Sequence, residues 1–252
     1  MSSLALGEKI TFFAIRFSVT FDQISQIRSK NLMEILVIGT EAQATECRQK
    51  FGGAHIIQGV ARLAQAGAIL KTAAVVFDFT GAGEPDHLTK YQAIPGTPLF
   101  LDTTLVRLAD RLAHAGELDN AVFGFCGLHT FVNREILEVA IQNEADRPAL
   151  EAICLTLGTD YRIVADQAGM VTPRVICMII NEAYYTLEEG TATREDIDLA
   201  MKLGTNYPWG PFEWGERIGL ENVVRVLTAS GEETGDSRYQ VCPLLNKVAQ
   251  RD

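Results

Sequence analysis

The sequence predicts an α/β protein in which a doubly wound parallel sheet is followed by an all-helical C-terminal domain. Up to about residue 165, short apolar runs alternate with segments of helical periodicity. This order is typical of parallel sheets covered by helices on both faces. Beyond that point the sequence shows helix-start signals and no convincing strand. The length of 252 residues and the hydrophobic fraction of 47% allow one large core or two smaller ones.

Strands are expected at the apolar runs of the first two thirds of the chain. The first run ends at Gly39 and is followed by helical spacing to Phe51, which predicts a strand, a turn and a helix. A run that is apolar throughout suits a strand buried on both faces. The predicted strands are Met33–Gly39, Ala54–Gln58, Ala73–Phe79, Pro98–Leu101, Ala121–Phe125 and Ile136–Ile141. The helices expected between them reach Phe51 and Ala68 and then span about Thr103–Ala115 and Pro148–Leu157.

Helix caps organise the last third of the chain. Thr172-Pro173 predicts a helix start, because threonine is a good N-cap and proline suits the first helical position, and Gly190 ends this helix. Thr193 to Asp196 has the spacing of a capping box. Further helices are expected after Gly219 and from Pro243.

Three segments are expected from these patterns. Residues 1–32 form an N-terminal extension, either disordered or lying before a true start at Met33. Residues 33–165 form the domain with the parallel sheet, and residues 166–252 form the helical domain.

The composition excludes several classes of function. A formal net charge of −10 and a pI near 4.9 disfavour nucleic acid as a partner, because binding to phosphates requires a basic surface. No apolar run reaches the roughly 18 to 20 residues that span a bilayer, so no membrane segment is expected. Five scattered cysteines without a C-x-x-C pair fit reduced thiols in a cytoplasmic protein and predict no metal site.

An ordered set of short motifs in the last third resembles one known family. The set consists of Asn181-Glu-Ala, Leu187-Glu-Glu-Gly190, Glu195-Asp-Ile-Asp198, Ala200-Met-Lys-Leu-Gly204 and Pro208-Trp-Gly-Pro-Phe-Glu-Trp214. In order and spacing it is similar to the C-terminal domain of the 3-hydroxyacyl-CoA dehydrogenases.

The resemblance implies a shortened Rossmann-like sheet domain and a specific ancestral reaction. That reaction is the NAD-dependent oxidation of 3-hydroxyacyl-CoA to 3-ketoacyl-CoA in fatty-acid metabolism. The family also implies an acyl-CoA-like small molecule as ligand and a homodimer formed through the helical domain. The longer helical hairpin that the family usually inserts after the second strand, beside the acyl-CoA cleft, is missing from this chain.

The cofactor motif departs from the family pattern. A pyrophosphate binds at a G-x-G-x-x-G turn, and the matching run here is Gly39-Thr-Glu-Ala-Gln-Ala44. Gly39 and Ala44 are the positions that still fit NAD. Glu41 places a carboxylate beside the expected phosphates, which at about 4 Å and an effective dielectric constant of about 20 costs about 4 kcal/mol. Gln58 stands where the family has an acidic residue for the ribose.

The catalytic histidine of the family has two candidate positions in this chain. The resemblance implies a histidine that takes the proton from the 3-hydroxyl group and a glutamate that orients the histidine. In the gapless alignment, which we prefer, Glu138 is the glutamate and Cys126 replaces the histidine. In the other alignment His129 is the histidine, and the loop to Glu138 is three residues shorter than usual.

Two other catalytic positions also differ. Pro173 stands at the family's asparagine, and its side chain has no hydrogen-bonding group. Thr103 could supply the hydroxyl group of the family's serine, although an N-cap for the following helix is the preferred interpretation.

Three hypotheses remain open from the sequence. The chain is an NAD-dependent dehydrogenase that uses His129 and Glu138, or it is a non-catalytic dimeric binding or regulatory protein on the same scaffold. The third hypothesis, a thiol-dependent acyl transfer at Cys126 with His129 and Glu138, requires a depressed thiol pKa. A buried structural cysteine is preferred over this third hypothesis.

Overall fold

The computed structural model of the protein describes residues 32–80, 87–113 and 115–251. The described residues from Met33 onward belong to one compact unit. The N-terminal extension expected at residues 1–32 lies outside the described residues, apart from Leu32. No helix within the described ranges is long and apolar enough to cross a membrane.

A seven-stranded sheet forms the first part of the chain and has the order β2-β1-β3-β4-β5-β6-β7. All neighbouring strands are parallel except β5 and β6, which are antiparallel. The bounds are Glu34–Ile38 (β1), Ile56–Val60 (β2), Val75–Asp78 (β3), Leu99–Asp102 (β4), Val122–Phe125 (β5), Ile136–Ile141 (β6) and Asp160–Ile163 (β7).

Nine α-helices are present in the described ranges, and they confirm the predicted fold class. Four belong to the sheet region and five follow it. The capping signals predicted four of these five, and the helix Pro211–Ile218 was not predicted. They span Glu41–Phe51 (α1), Ile69–Thr72 (α2), Leu108–Leu112 (α3), Arg147–Leu157 (α4), Thr172–Glu188 (α5), Arg194–Thr205 (α6), Pro211–Ile218 (α7), Leu220–Thr234 (α8) and Pro243–Ala249 (α9). Short 3₁₀ helices occupy Leu63–Gln65, Leu88–Ala93, Glu144–Asp146 and Ser237–Tyr239.

Apolar clusters cover both faces of the sheet. On one face the aromatic side chains of β3, β4 and β5 pack beneath α1 and α4, with Phe77 and Phe100 stacked at 4.6 Å between ring centroids. The other face packs against side chains of the 3₁₀ helices and α3, including Leu63, Tyr91 and Leu108. Strands buried on both faces are nearly continuous apolar runs, which is why the sequence located them well.

Two local expectations about the fold differ from the structure. The helix expected from about Thr103 is only Leu108–Leu112, and its first amide groups, at Leu108 and Ala109, donate to the carboxylate of Asp166 at 2.7 and 2.8 Å. The strand Asp160–Ile163 had no apolar signal. It lies at the edge of the sheet, where a strand needs little burial.

A buried carboxylate in α1 fixes the loop between β5 and β6. Glu46 is 3% exposed and accepts hydrogen bonds from the backbone N–H groups of Thr130, Val132 and Asn133, at 3.0 to 3.1 Å. The loop connects Cys126 to Glu138, so the position of both catalytic candidates depends on this contact.

Replacing this carboxylate by an amide is expected to destabilise the fold. In Glu46→Gln one oxygen becomes an NH₂ group that faces backbone donors, and hydrogen bonds to a charged group each contribute about 1.5–3 kcal/mol. We expect the free energy of unfolding, measured with urea, to fall by about 2 kcal/mol. Glu144→Gln is the matched control, because Glu144 is exposed and pairs with the exposed side chain of Arg147. Equal stability of the two variants would contradict this role of Glu46.

Candidate functional site

A cleft of about 550 Å³ lies between the β6–β7 edge of the sheet and the start of α5. Strand β6 contributes Ile136 and Glu138, which are two residues apart and therefore lie on the same face of the strand. Arg162 of β7 is the register partner of Glu138. The complete lining is Arg134, Glu135, Ile136, Glu138, Arg162, Val164, Val171 and Thr172. A smaller hollow adjoins the cleft and adds Cys126, Phe131 and Leu137.

Glu138 acts as a helix cap in this structure. Its carboxylate accepts hydrogen bonds from the backbone N–H of Val171 at 3.1 Å, from the N–H of Thr172 at 2.9 Å and from the Thr172 hydroxyl group. These are the first donors of α5, which have no partner within the helix, and a negative charge there also complements the helix dipole. The sequence placed Thr172 itself as the N-cap. The N-cap residue is Val171, and no side chain of the helix caps it.

Cys126 lies in the smaller hollow together with Glu138, as the gapless alignment places them. The thiol is buried, and burial raises its pKa well above the ordinary value, with a further contribution from nearby Asp102. The Thr104 hydroxyl opposes this shift only in part. A thiol in this environment is protonated at neutral pH and is neither a base nor an activated nucleophile.

His129 is not close to Glu138 in the way a catalytic dyad requires. Its side chain is 51% exposed, and its Nδ1 lies 3.1 Å from Oε2 of Glu46. The donors that contact Glu138 all come from the start of α5. The structure therefore brings Cys126 and Glu138 together and keeps His129 with a different carboxylate.

The other described histidines also lie away from the cleft. The backbone N–H of Met33 donates to Nδ1 of His55 at 3.4 Å. Nε2 of His87 lies 2.5 Å from the buried carboxylate of Asp78. Among residues 32–80, 87–113 and 115–251, no imidazole lines the cleft.

Thr103 and Thr104 are both buried and make different contacts. Thr103 is 1% exposed, and its side chain packs so closely on Gly124 that a Cβ there would lie 2.5 Å from Thr103 Oγ1. Arg107 precedes the following helix, so the N-cap interpretation of Thr103 is wrong. The Thr104 hydroxyl instead accepts from the N–H of Gly127 at 3.1 Å and donates to Asp102 at 2.5 Å.

The turn that should hold a pyrophosphate is closed by its own side chains. Oε1 of Gln43 accepts from the backbone N–H of Thr40 at 2.8 Å, and the Thr40 hydroxyl accepts from the N–H of Gln43 at 3.3 Å. A Cβ on Gly39 would lie 2.5 Å from the same Gln43 oxygen. The Gln43 side chain thus occupies the space beside Gly39 and the amide of Thr40 that a phosphate would need. The residues present therefore do not fit a dinucleotide in the usual pose.

Glu41 contributes less repulsion than the sequence suggested. Its carboxylate is 78% exposed and lies 2.7 Å from Nη1 of Arg48, which lowers the pKa of Glu41 and compensates its charge. Solvent also screens a charge in this position. The closure by Gln43 is therefore the stronger obstacle to a phosphate. Ala44 is buried against Gly59, where a Cβ would lie 2.9 Å away, which is the close helix–strand packing of the third motif position.

Gln58 is not at the end of the second strand. Strand β2 continues to Val60, and Gln58 pairs with Leu36 in mid-strand. The residues that follow the strand are Ala61 and Arg62. This position offers no carboxylate for a ribose either.

The site contains groups that the sequence analysis did not single out. Arg134, Arg162 and Thr172 line the cleft, and Thr104 contacts the loop that carries Cys126. The only sequence signal for Arg134 is its position in the chain. It lies four residues before Glu138 and two residues before Ile136, which is exposed. No group of three or more His, Cys, Asp or Glu side chains in the described ranges is arranged to hold a metal ion.

Comparisons with known proteins agree with the motifs of the last third. The family model for the 3-hydroxyacyl-CoA dehydrogenase C-terminal domain matches residues 169–252. The 3-hydroxyadipyl-CoA dehydrogenase of Escherichia coli K12 is 44% identical over 86 residues, which cover 34% of this chain and 18% of that protein. The 3-hydroxybutyryl-CoA dehydrogenase of Bradyrhizobium diazoefficiens is 32% identical over 152 residues, which cover 59% of this chain and 52% of that protein.

A solved structure extends the likeness to most of the chain. The crystal structure of (S)-3-hydroxybutyryl-CoA dehydrogenase from Ralstonia eutropha covers 87% of this chain and 94% of its own, with a TM-score of 0.69 and 20% identity. At this identity the likeness shows the fold alone, a Rossmann-like sheet followed by a helical domain. The sequence matches span about half or less of the two curated relatives. Taken with the motifs of the helical third, they confirm the resemblance of this chain to the 3-hydroxyacyl-CoA dehydrogenases, with the family's C-terminal domain matched over residues 169–252.

Proposed function

We propose that this chain is a family member that binds an acyl-CoA-like ligand without hydride transfer. The observation that carries the proposal is the use of Glu138 as the cap of α5, with a buried thiol at Cys126 where the family has its histidine. Residues 33–165 contribute the sheet side of the cleft, and residues 166–252 contribute the helical side.

Oxidation of a 3-hydroxyl group needs a base that takes the proton as hydride leaves. The Cys126 thiol cannot act as this base, because burial keeps it protonated at neutral pH. The carboxylate of Glu138 is occupied by three donors of α5. Pro173, buried at the family's asparagine position, offers no side-chain donor to a carbonyl oxygen.

Loss of the cofactor accompanies loss of the base in this proposal. NAD is the cofactor that family membership implies, but the Gln43 cap and the absence of a carboxylate after β2 disfavour it. Gly39 and Ala44 keep their structural roles in the turn and in helix packing. The chemistry left to the cleft is recognition of a ligand.

The remaining parts of the proposal come from the family. We infer a homodimer formed through the helical domain, because Leu199 and Leu203 of α6 are 52% and 79% exposed, and adjacent exposed leucines are typical of interfaces. A cytoplasmic protein of fatty-acid metabolism is consistent with this ligand class. The second candidate function is the family's NAD-dependent dehydrogenase reaction.

The proposal predicts that the full chain binds acetoacetyl-CoA, observed by calorimetry, and does not reduce it with NADH. At high protein concentration, the decrease in NADH absorbance should equal that of a control without acetoacetyl-CoA. Glu138→Gln should give the same result, and a contaminating host dehydrogenase would be insensitive to this substitution. Turnover that disappears in Glu138→Gln would establish a working dehydrogenase, and failure to bind acetoacetyl-CoA would refute the proposed ligand.

Cys126 is expected to resist alkylation, which separates a structural cysteine from a thiol nucleophile. Since burial raises its pKa, the thiolate is scarce at neutral pH and stays scarce until the pH rises well above the ordinary thiol pKa. Mass spectrometry after brief iodoacetamide treatment of the folded protein at pH 7 should show Cys126 unmodified. The same treatment in urea, where every cysteine is accessible, is the control. Selective modification of Cys126 in the folded chain would revive the acyl-transfer hypothesis.

A further inference from the structure

Arg134 is a half-buried cation at the junction of the cleft and the smaller hollow. Its guanidinium carbon lies 4.7 Å from the ring centroid of Phe131 and 5.9 Å from that of Trp214. Its backbone is also held, since its N–H donates to the Val132 carbonyl group at 2.9 Å and its carbonyl group accepts from Lys50 Nζ. Stacking on aromatic rings fixes the plane of a guanidinium and leaves its N–H edge available to a ligand.

No carboxylate in the described part of the chain pairs with this guanidinium within 4 Å. Glu138 is a nearby carboxylate, but its hydrogen bonds go to the start of α5. Burial lowers the pKa of Arg134, and the charge of Glu138 only partly opposes this. A partly desolvated charge without a partner is costly, and a bound anion would remove that cost.

The surroundings of Arg134 combine a cationic end with an apolar wall. Ile136 and Val171 are 41% and 51% exposed in the cleft, and Val175, one helical turn after Val171, is 49% exposed. Arg162 adds a second cation on the neighbouring strand. Glu135 also lines the cleft, but it is exposed to solvent, where its charge is screened. A volume near 550 Å³ suits a small-molecule ligand.

We infer that Arg134 makes the cleft selective for an acyl ligand that ends in a free carboxylate. The carboxylate accepts two hydrogen bonds from the stacked guanidinium, and the hydrocarbon chain lies along Ile136 and Val171. A planar carboxylate matches the guanidinium edge. The apolar wall begins beside the arginine, so the anionic group must be attached directly to hydrocarbon. This favours a carboxylate over a phosphate on a long polar linker. The inference rests on the proposed function and specifies its ligand.

The test compares octanoate with octanamide, a neutral ligand of nearly the same shape, on the full chain. Binding is measured by calorimetry and by the intrinsic fluorescence of the two tryptophans, Trp209 and Trp214. We expect octanoate to bind saturably and at least about tenfold more tightly than octanamide, because a charge-assisted pair with arginine is lost in the amide. Equal affinities of the two ligands in the unmodified protein would overturn the inference without the need for any variant.

Variants assign the selectivity to one residue. Arg134→Met keeps an unbranched side chain on the two rings, and it should lower the affinity for octanoate about tenfold and leave the weak binding of octanamide unchanged. Arg147→Met, which removes an exposed arginine that pairs with Glu144 and does not line the cleft, should change neither value. An unchanged octanoate affinity in folded Arg134→Met would overturn the inference.

Octanoyl-CoA separates this inference from the proposed function. Binding of octanoyl-CoA without preference for octanoate over octanamide would refute the carboxylate selectivity and leave the acyl-binding cleft intact. If neither octanoyl-CoA nor octanoate binds, both the inference and the proposed function are refuted.

Discussion

The contact between Glu138 and the first turn of α5 joins the sheet to the helical region. The first backbone N–H groups of a helix have no partner within the helix, and here a carboxylate from β6 accepts from them. The consequence is both structural and chemical. The start of α5 is fixed against the sheet, which shapes the cleft, and the Glu138 carboxylate is occupied by donors of this helix.

The same use of carboxylates recurs through the chain. Glu46 holds the loop after β5, Asp166 caps α3, and Asp198 accepts from the first amides of α7 at 2.8 and 3.2 Å. The chain has a formal net charge of −10, but these acidic side chains bind its own backbone and are not free for a metal or a cation. Arg134 is the contrasting case, since it is a half-buried charge whose side chain contacts aromatic rings.

Local signals in the sequence predicted most of the fold. The apolar runs located β1, β3, β5 and β6, and the cap at Thr193 accepts from Asp196 as its three-residue spacing indicated. These features depend on neighbours in the sequence or on burial, which composition reveals. The edge strand Asp160–Ile163 was missed because half of its side chains are exposed and it lacks an apolar pattern.

The site was less predictable, because its key contacts join distant residues. Nothing near Glu138 in the sequence shows that its partner is Thr172, and nothing near Arg134 shows that Trp214 lies beneath it. The pairing of His129 with Glu46 is equally remote, over 83 positions of the chain. The gapless alignment placed Cys126 and Glu138 near each other, and both line the smaller hollow, but the tertiary packing determines what each group does.

Strand β7 leaves one side of the sheet without a strand neighbour in the described part of the chain. Unpaired strand edges invite association with other chains, and charged side chains on the edge are the usual protection. Asp160 and Arg162 provide such charges, and both are exposed. Arg162 therefore places one charge both in the cleft and on the open strand edge. An apolar residue at this position would extend the apolar wall of the cleft, but it would also remove a charge that disfavours pairing of the edge with another strand.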